Sequence, residues 1–232
     1  MNTNIPERTE EWLLSVAVDV VIFTLRNKDL QVYLVQRHEE GYEGYWSLPG
    51  GVIRIDEGLE EAAMRHLRRQ TAVDDIYLQQ LYTFGVPQRD TRRRVISVAY
   101  FALVSPDRLT RDQLGENNGE RAWHSAYDLP ELAFDHAEML DVALTRLRYK
   151  IEYSAAAFEL MPEEFTLREL QEAYMIILND HTLDKANFRK KIRDARIVEP
   201  ISRYKNTGGR PARLYRFRKD AQLESKARRF FP

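Results

Sequence analysis

The sequence has no cysteine among its 232 residues. That absence excludes a disulfide framework and zinc sites with thiolate ligands, and it fits a chain that works in a reducing cytosol. The longest early apolar run, from Val16 to Phe23, is interrupted by Asp19 and is far too short to cross a bilayer. The N-terminus is acidic and lacks the basic-then-apolar order of a signal peptide. We therefore expect a cytoplasmic protein with no membrane partner.

Charge is distributed unevenly, although the net charge of the whole chain is only −1. Residues 1–180 carry 19 Lys and Arg against 31 Asp and Glu, a net charge of −12. Residues 181–218 carry 12 basic and three acidic side chains, a net charge of +9. So dense a basic block, with helical and strand periodicity of its own, indicates a nucleic-acid contact. A solvated basic tail, or a surface for RNA or for another protein, is the alternative interpretation.

The first half of the chain alternates between strand and helix patterns. Two β-branched-rich runs, 16–25 and 30–36, flank the turn sequence RNKD and predict a hairpin. Residues 107–121 are polar and contain glycine and asparagine, which is typical of a loop. The patterns further predict a strand leading into a loop at 44–52, strands at 76–84 and 95–104, and helices at 59–70 and 136–150. These elements indicate an α/β domain with helices on a sheet.

The pattern changes after a predicted linker at 151–164. A helix is expected after Thr166, because Glu169 follows at the spacing of a capping box. A basic helix is expected at 185–196, and residues 198–218 alternate around the turn NTGGRP like a β-hairpin. Helix, turn, basic helix and basic hairpin form the layout of a winged helix-turn-helix, whose second helix enters the major groove of DNA.

Ten residues of this basic half are the expected DNA contacts. They are Lys185, Asn187, Arg189, Lys190 and Arg193 on the helix and Arg203, Lys205, Gly208, Arg210 and Arg213 on the hairpin. Asn187 has the groups to read a base edge, and a short polar residue at a helix start is as often a cap. The glycine pair at 208–209 permits a tight turn and a close approach to DNA.

The segment 50–73, GGVIRIDEGLEEAAMRHLRRQTAV, resembles a Nudix box. That pattern is Gly, five residues, Glu, seven residues, then Arg-Glu-apolar-x-Glu-Glu-x-Gly-apolar. The matching positions are Gly51, Glu57, Arg65, Leu67 and Val73. The positions of the three helix glutamates hold His66, Arg69 and Gln70, and the last glycine is Ala72.

These replacements remove the groups that hold a metal in a Nudix hydrolase. Three carboxylates on one helix face converge on Mg²⁺, which prefers oxygen ligands in near-octahedral order. A guanidinium about 5 Å from Mg²⁺ repels it by roughly 6 kcal/mol at an effective dielectric near 20. We therefore predict no metal site and no hydrolysis. The alternative is an active hydrolase of ADP-ribose or related nucleoside diphosphates, with an atypical metal site formed by Asp56, Glu57, Glu60 and Glu61.

The same region keeps groups that bind phosphate. Arg69 places a positive charge where the metal would lie, and RDTRRR at 89–94 offers guanidinium groups, which bind phosphate oxygens through paired hydrogen bonds. Trp46 beside the box is positioned to stack on a base. A solvated loop for the arginines and a core position for Trp46 are equally weighted alternatives. The predicted ligand-binding residues are Arg37, Trp46, Arg54, Arg69, Arg89 and Arg92.

Further stretches extend the resemblance over nearly the whole chain. They are RDTR at 89–92, AFDHAEML at 133–140, FTLRELQEAY at 165–174 and NFRKKI at 187–192. With the box, they make the chain similar to the Nudix-related transcriptional regulators of NAD metabolism, the NrtR family. The resemblance implies a Nudix-like α/β/α sandwich with a mixed sheet, which senses a ligand, over residues 1–150. It implies a winged helix-turn-helix over residues 151–232.

The resemblance also implies a function. Family members are homodimeric repressors of NAD biosynthesis or salvage genes, which bind a pseudo-palindromic operator in double-stranded DNA. ADP-ribose or a related NAD-derived nucleotide is the effector that releases them, and no cofactor is expected. Some relatives keep the glutamates and hydrolyse ADP-ribose, and this sequence departs from them there. A regulator that senses another phosphorylated nucleotide is equally compatible with the arginine cluster.

Overall fold

A computed structural model describes residues 14–73, 76–110, 113, 120–153, 155–206 and 208–218. Its first half is built on a mixed sheet. The strands are β1 (Ser15–Arg26), β2 (Asp29–Gln36), β3 (Trp46–Ser47), β4 (Gly50–Val52), β5 (Tyr77–Phe84), β6 (Val95–Leu103) and β7 (Arg121–Ser125). The main order is β3-β2-β1-β6-β5, with β4 paired to β1 and β7 paired to β2. β1 and β6 run parallel, and the other pairs are antiparallel.

The central strands β1 and β6 are buried on both faces. Val21 and Phe23 of β1 enter one apolar core, and Val20 and Ile22 enter the other, because successive side chains of a strand point to opposite faces. The near-continuous apolar run predicted for β6 divides in the same way. The predicted hairpin of β1 and β2 is confirmed, and both turn residues, Asn27 and Lys28, have positive φ.

Two helices cover the faces of the sheet and complete an α/β/α sandwich. α1 (Leu59–Thr71) packs Ala62, Ala63 and Leu67 against one core, and α2 (His136–Tyr153) packs its apolar stripe against the other. α1 ends at Ala72, which has φ 47° in the left-handed region. Glycine is the favoured residue at such a helix end, and it is the residue of the Nudix pattern at this position.

The second half of the chain is a winged helix. It contains β8 (Phe165–Thr166), α3 (Leu167–Leu178), α4 (Lys185–Asp194), β9 (Val198–Lys205) and β10 (Ala212–Phe217), with the strand order β8-β10-β9. The predicted capping box at the start of α3 is confirmed. The backbone N–H of Glu169 donates to the Thr166 hydroxyl at 3.2 Å, and the Glu169 carboxylate accepts from the N–H of Thr166 at 2.8 Å.

The connection between the halves differs from the linker expected at 151–164. α2 continues to Tyr153, and a 3₁₀ turn follows at Ala155–Leu160. Leu160 and Met161 are buried in the core that also receives α2 and α3. The two halves therefore share one apolar core. Within the described ranges, no helix is long and apolar enough to span a membrane.

Candidate functional site

A cavity of about 300 Å³ lies where β1 and β4 meet the loop 89–93 and the start of α2. We call it the first cavity. Its charged and aromatic wall is formed by Asp19, Arg37, Arg89, Arg92, Phe134 and His136. These side chains come from four separate stretches of the chain, which only the folded sheet brings together.

Arg89 is buried within this wall and already has carboxylate partners. Its Nε and Nη2 donate to the two carboxylate oxygens of Asp135 at 2.9 and 2.7 Å. A second carboxylate, that of Asp19, lies 3.6 Å from the same Nη2. Buried charges are tolerated when they are paired and hydrogen-bonded. Arg89 therefore joins two elements of the wall, whereas the sequence suggested a guanidinium presented by a loop.

Asp19 is held as an anion at the back of the first cavity. Its carboxylate accepts from the Ser97 hydroxyl at 2.5 Å and lies 3.6 Å from Nε2 of His136. The other ring nitrogen of His136 accepts from the N–H of Leu48 at 3.0 Å, which fixes the orientation of the imidazole. Burial by itself would raise the pKa of Asp19. The charges and hydrogen bonds of His136, Ser97 and Arg89 outweigh burial and lower this pKa to about 2.

β4 approaches Asp19 so closely that only glycine fits at position 50. A Cβ on Gly50 would lie 2.2 Å from Oδ1 of Asp19 and 2.4 Å from the carbonyl oxygen of Val18. Gly50 therefore allows β4 to pack closely against β1 at the cavity, because glycine has no Cβ.

Phe134 forms an aromatic platform with two guanidinium groups over its ring. The guanidinium carbons of Arg37 and Arg92 lie 5.1 and 5.5 Å from the ring centroid, and the ring of Tyr42 lies 4.3 Å away. Phe134 has φ 57°, a strained conformation for an aromatic residue. Such strain clusters at ligand sites, where the surrounding structure enforces it. Arg92 also pairs with Asp90 at 3.0 Å, and Arg37 pairs with Glu39 at 2.8 Å.

A second cleft, of about 400 Å³, adjoins the first cavity. Its polar wall includes Arg37, His66, Arg69, Gln70 and Arg121, and Arg37 and Glu39 border both spaces. Three of these residues come from α1 at the positions that carry glutamate in the Nudix pattern. Burial, followed by the charge of neighbouring Arg65, lowers the pKa of His66. The imidazole is therefore neutral at neutral pH.

Two carboxylates near the box, those of Glu57 and Glu61, already have hydrogen-bond partners. Glu57 is bound by the guanidinium of Arg65, whose Nε donates at 2.9 Å, and it accepts from the N–H of Arg54 at 2.7 Å. These hydrogen bonds, those from Arg65 above all, hold the pKa of Glu57 at about 2. Glu61 accepts from the N–H of Gly58 at 2.8 Å as part of the helix cap. Among the described residues, no three His, Asp or Glu side chains form a metal-binding group.

The six predicted ligand residues do not lie in one site. Arg37, Arg89 and Arg92 line the first cavity, and Arg37 and Arg69 line the second cleft. Trp46 and Arg54 line neither space. Trp46 is half-buried against the apolar core and meets His124 edge-on at 4.5 Å, and Arg54 is exposed. Sequence reasoning did not select Asp19, Arg121, Phe134 or His136, although the family stretch 133–140 contains two of them.

The exposed face of α4 is basic. Lys185, Asn187, Lys190 and Arg193 are exposed, whereas Phe188 and Ile192 are buried. The helix cap is Asp184, whose carboxylate accepts from the N–H of Asn187 at 2.7 Å. The side chain of Asn187 is therefore not the cap. Arg189 is half-buried in a cleft of about 240 Å³ between α3, α4 and β10, which Arg168, Arg193 and Arg213 also line.

The hairpin of β9 and β10 carries the remaining predicted DNA contacts. Arg203, Lys205, Gly208, Arg210 and Arg213 are all exposed. Gly208 has φ 78°, a turn conformation that glycine adopts without strain. Lys205 bonds the capping carboxylate of Glu169 at 2.6 Å, and Arg203 pairs with Glu164. These ion pairs anchor the hairpin to α3 and to the segment before it.

Both halves of the chain match known protein families. Residues 15–143 match the NUDIX domain family, and residues 157–217 match the NrtR DNA-binding winged helix domain. The ADPR responsive transcriptional repressor NtrR of Acinetobacter baylyi is 38% identical over 205 residues, 87% of this chain and 81% of that protein. The ADP-ribose pyrophosphatase of Methanocaldococcus jannaschii is 31% identical over 126 residues, 54% of this chain and 70% of that protein.

A crystal structure covers both halves together. Shewanella oneidensis NrtR complexed with a 27mer DNA has a TM-score of 0.79 at 34% identity, over 89% of this chain and 94% of that one. The two family matches and the 38% identical repressor agree with the order of domains in the fold. The chain therefore belongs to the NrtR family of Nudix-related transcriptional regulators.

Proposed function

We propose that this protein represses genes of NAD biosynthesis or salvage and leaves its operator when ADP-ribose, or a related NAD-derived nucleotide, binds its Nudix domain. The observation that carries the proposal is the union, in one chain, of an arginine-lined Nudix cavity and an NrtR-type winged helix with a basic exposed face. It is supported by the A. baylyi relative, which is named for its response to ADPR, and by the S. oneidensis relative, which was crystallised with DNA.

The first cavity supplies what a nucleotide needs. Arg37, whose Nε has no hydrogen-bond partner among the described residues, offers a donor to a phosphate oxygen, whereas Nε and Nη2 of Arg92 already donate to the Asp90 carboxylate at 3.0 Å. The Phe134 side chain, which lines this cavity, offers an apolar surface to a base or sugar. Arg89 holds the wall together through Asp19 and Asp135 rather than by offering a free charge.

On the DNA side, α4 enters the major groove and the hairpin follows the backbone. A twofold homodimer of such domains requires a pseudo-palindromic operator whose half-sites are about one helical turn apart, or a multiple of it. The exposed lysines and arginines neutralise phosphates, so binding weakens steeply as salt increases.

Two elements connect the ligand spaces to the winged helix. β7 begins with Arg121 in the second cleft, and just beyond its end the Tyr127 hydroxyl donates to the carbonyls of Ile176 and Ile177 at 2.8 and 2.9 Å. α2 begins with His136 in the first cavity and carries Arg148, whose Nε donates to the Ile177 carbonyl at 3.2 Å. A shift of either element in response to the nucleotide therefore reaches the C-terminal end of α3.

We propose further that the chain does not hydrolyse its effector. Hydrolysis by Nudix enzymes requires a divalent cation, and the side chains of His66, Arg69 and Gln70 do not fit one. Incubation of the purified protein with ADP-ribose and Mg²⁺ or Mn²⁺ should release no AMP. Release of AMP at a rate above that of a variant lacking Glu57 would instead support the hydrolase alternative.

The regulatory proposal is tested on an operator recovered by the protein itself. Duplexes bound by the purified protein are selected from a randomised pool, and the enriched sequence is used in gel shifts at constant salt. ADP-ribose should weaken the complex by roughly five- to a hundredfold, the usual range of an allosteric coupling. An operator affinity that does not change with ADP-ribose contradicts the proposal.

A further inference from the structure

Resting on this proposed function, we infer that the metal-binding face of the Nudix helix has become a metal-independent anion seat in this chain. The seat is the second cleft, and its ligand is the distal phosphate of a sugar-linked nucleoside diphosphate together with the attached sugar. The first cavity holds the nucleoside half of the same molecule. The regulator therefore distinguishes a diphosphate that carries a sugar at each end from a mononucleotide.

The charge of the second cleft favours an anion. The guanidinium groups of Arg37, Arg69 and Arg121 face it, and Glu39 is its one carboxylate among the described lining residues. Within the described part of the chain, Arg69 is exposed and forms no ion pair with a carboxylate. His66 adds a neutral imidazole, because its pKa is lowered. The same fixed charges repel Mg²⁺.

Two buried polar atoms of the cleft have no hydrogen-bond partner in the described part of the chain. They are Nε of Arg37, which is a donor, and Oε1 of Gln70, which is an acceptor. Buried polar groups are hydrogen-bonded in the large majority of cases, so unsatisfied atoms at a cleft indicate a missing partner. A phosphate oxygen satisfies the first atom and a sugar hydroxyl satisfies the second. A metal ion cannot satisfy the first atom, since Nε carries a proton.

Arg37 determines how one ligand uses both spaces. It borders the first cavity and the second cleft, and its guanidinium lies over Phe134. A diphosphate centred on Arg37 extends one end toward Phe134 and Asp19 and the other toward Arg69 and Gln70. The volumes of about 300 and 400 Å³ fall in the range of small-molecule sites.

The test is calorimetric titration of the full-length protein with ADP-ribose and with AMP, each in EDTA and in Mg²⁺. Affinity of the wild-type protein for ADP-ribose should be the same in both buffers. R69Q should weaken ADP-ribose by roughly ten- to a hundredfold, the cost of losing a charged hydrogen-bond donor, and should leave AMP within twofold. Q70L should weaken ADP-ribose by several-fold and leave AMP unchanged.

R68Q is the matched control. It removes the same charge from the neighbouring, exposed position of α1, which borders neither space, and should bind both ligands like the wild type. Thermal unfolding of each variant verifies that it is folded. Restoring carboxylates in H66E/R69E/Q70E should make the binding of ADP-ribose depend on Mg²⁺.

Different results would overturn the anion seat and the proposed regulatory function. Wild-type protein that binds ADP-ribose but loses it in EDTA, or R69Q that behaves like R68Q, overturns the seat and leaves the regulatory function standing. Wild-type protein that binds ADP-ribose in EDTA, with the R69Q defect, yet keeps its operator supports the seat and overturns the function. Absence of any ADP-ribose binding overturns both.

Discussion

The Tyr127 hydroxyl is the contact through which the proposed coupling is most directly tested. It donates to carbonyls in the last turn of α3, and Tyr127 as a residue is 37% exposed, so removal of the hydroxyl oxygen leaves no enclosed cavity. Arg148 still donates to Ile177 in the Y127F variant, so that carbonyl keeps one partner. The expected loss is that of one neutral hydrogen bond, about 1 kcal/mol.

A change of that size is measurable as a change in coupling. If the contact transmits the effect of the nucleotide, the ratio of operator affinities without and with ADP-ribose should fall about fivefold in Y127F. R148Q should reduce the same ratio. The double variant should lose less than the sum, since both side chains share the Ile177 carbonyl and neighbouring contacts are not additive.

Gel shifts at constant salt measure the ratio, and thermal unfolding separates coupling from stability. The control is Y149F, which removes the same hydroxyl from an exposed tyrosine of α2. The reasoning is refuted if Y127F retains the full effect of ADP-ribose, or if Y149F reduces it equally.

Three further results are expected. Ala72 ends α1 with φ 47°, so A72G should raise the free energy of unfolding in urea by about 1 kcal/mol; an unchanged or lower value would contradict the strain. Asp19 has its pKa lowered to about 2, so it stabilises the fold above pH 4, and that stability, about 2 kcal/mol, is lost as pH falls from 4 to 2. Urea unfolding across this range should show the loss in the wild type and not in D19N. K190Q should reduce the log–log salt slope of operator binding by about 0.9, as expected for one phosphate contact, whereas R68Q should not change it.

Local features of the structure could be predicted from the sequence. The capping box of Thr166 and Glu169 involves residues three apart, and the turn of Asn27 and Lys28 joins adjacent strands. The register of the Nudix pattern placed α1 correctly, because a helix face repeats every three to four residues. Two short strands, β7 and β8, were not predicted. β7 forms a strand because it pairs with β2, and β8 because it pairs with β10. Neither segment has a strand pattern of its own in the sequence.

Only the tertiary structure determines which charged side chains are paired and which are exposed. The sequence shows the degenerate box and the basic segment as charged residues at fixed spacing. Arg89 is paired because of Asp135, which lies 46 residues along the chain, whereas Arg69 forms no ion pair with any residue that the structure describes. The Ser97 hydroxyl, 78 residues away, anchors Asp19. Composition and periodicity report which groups a chain possesses, but desolvation and pairing arise when sheet packing brings remote segments within a few ångströms.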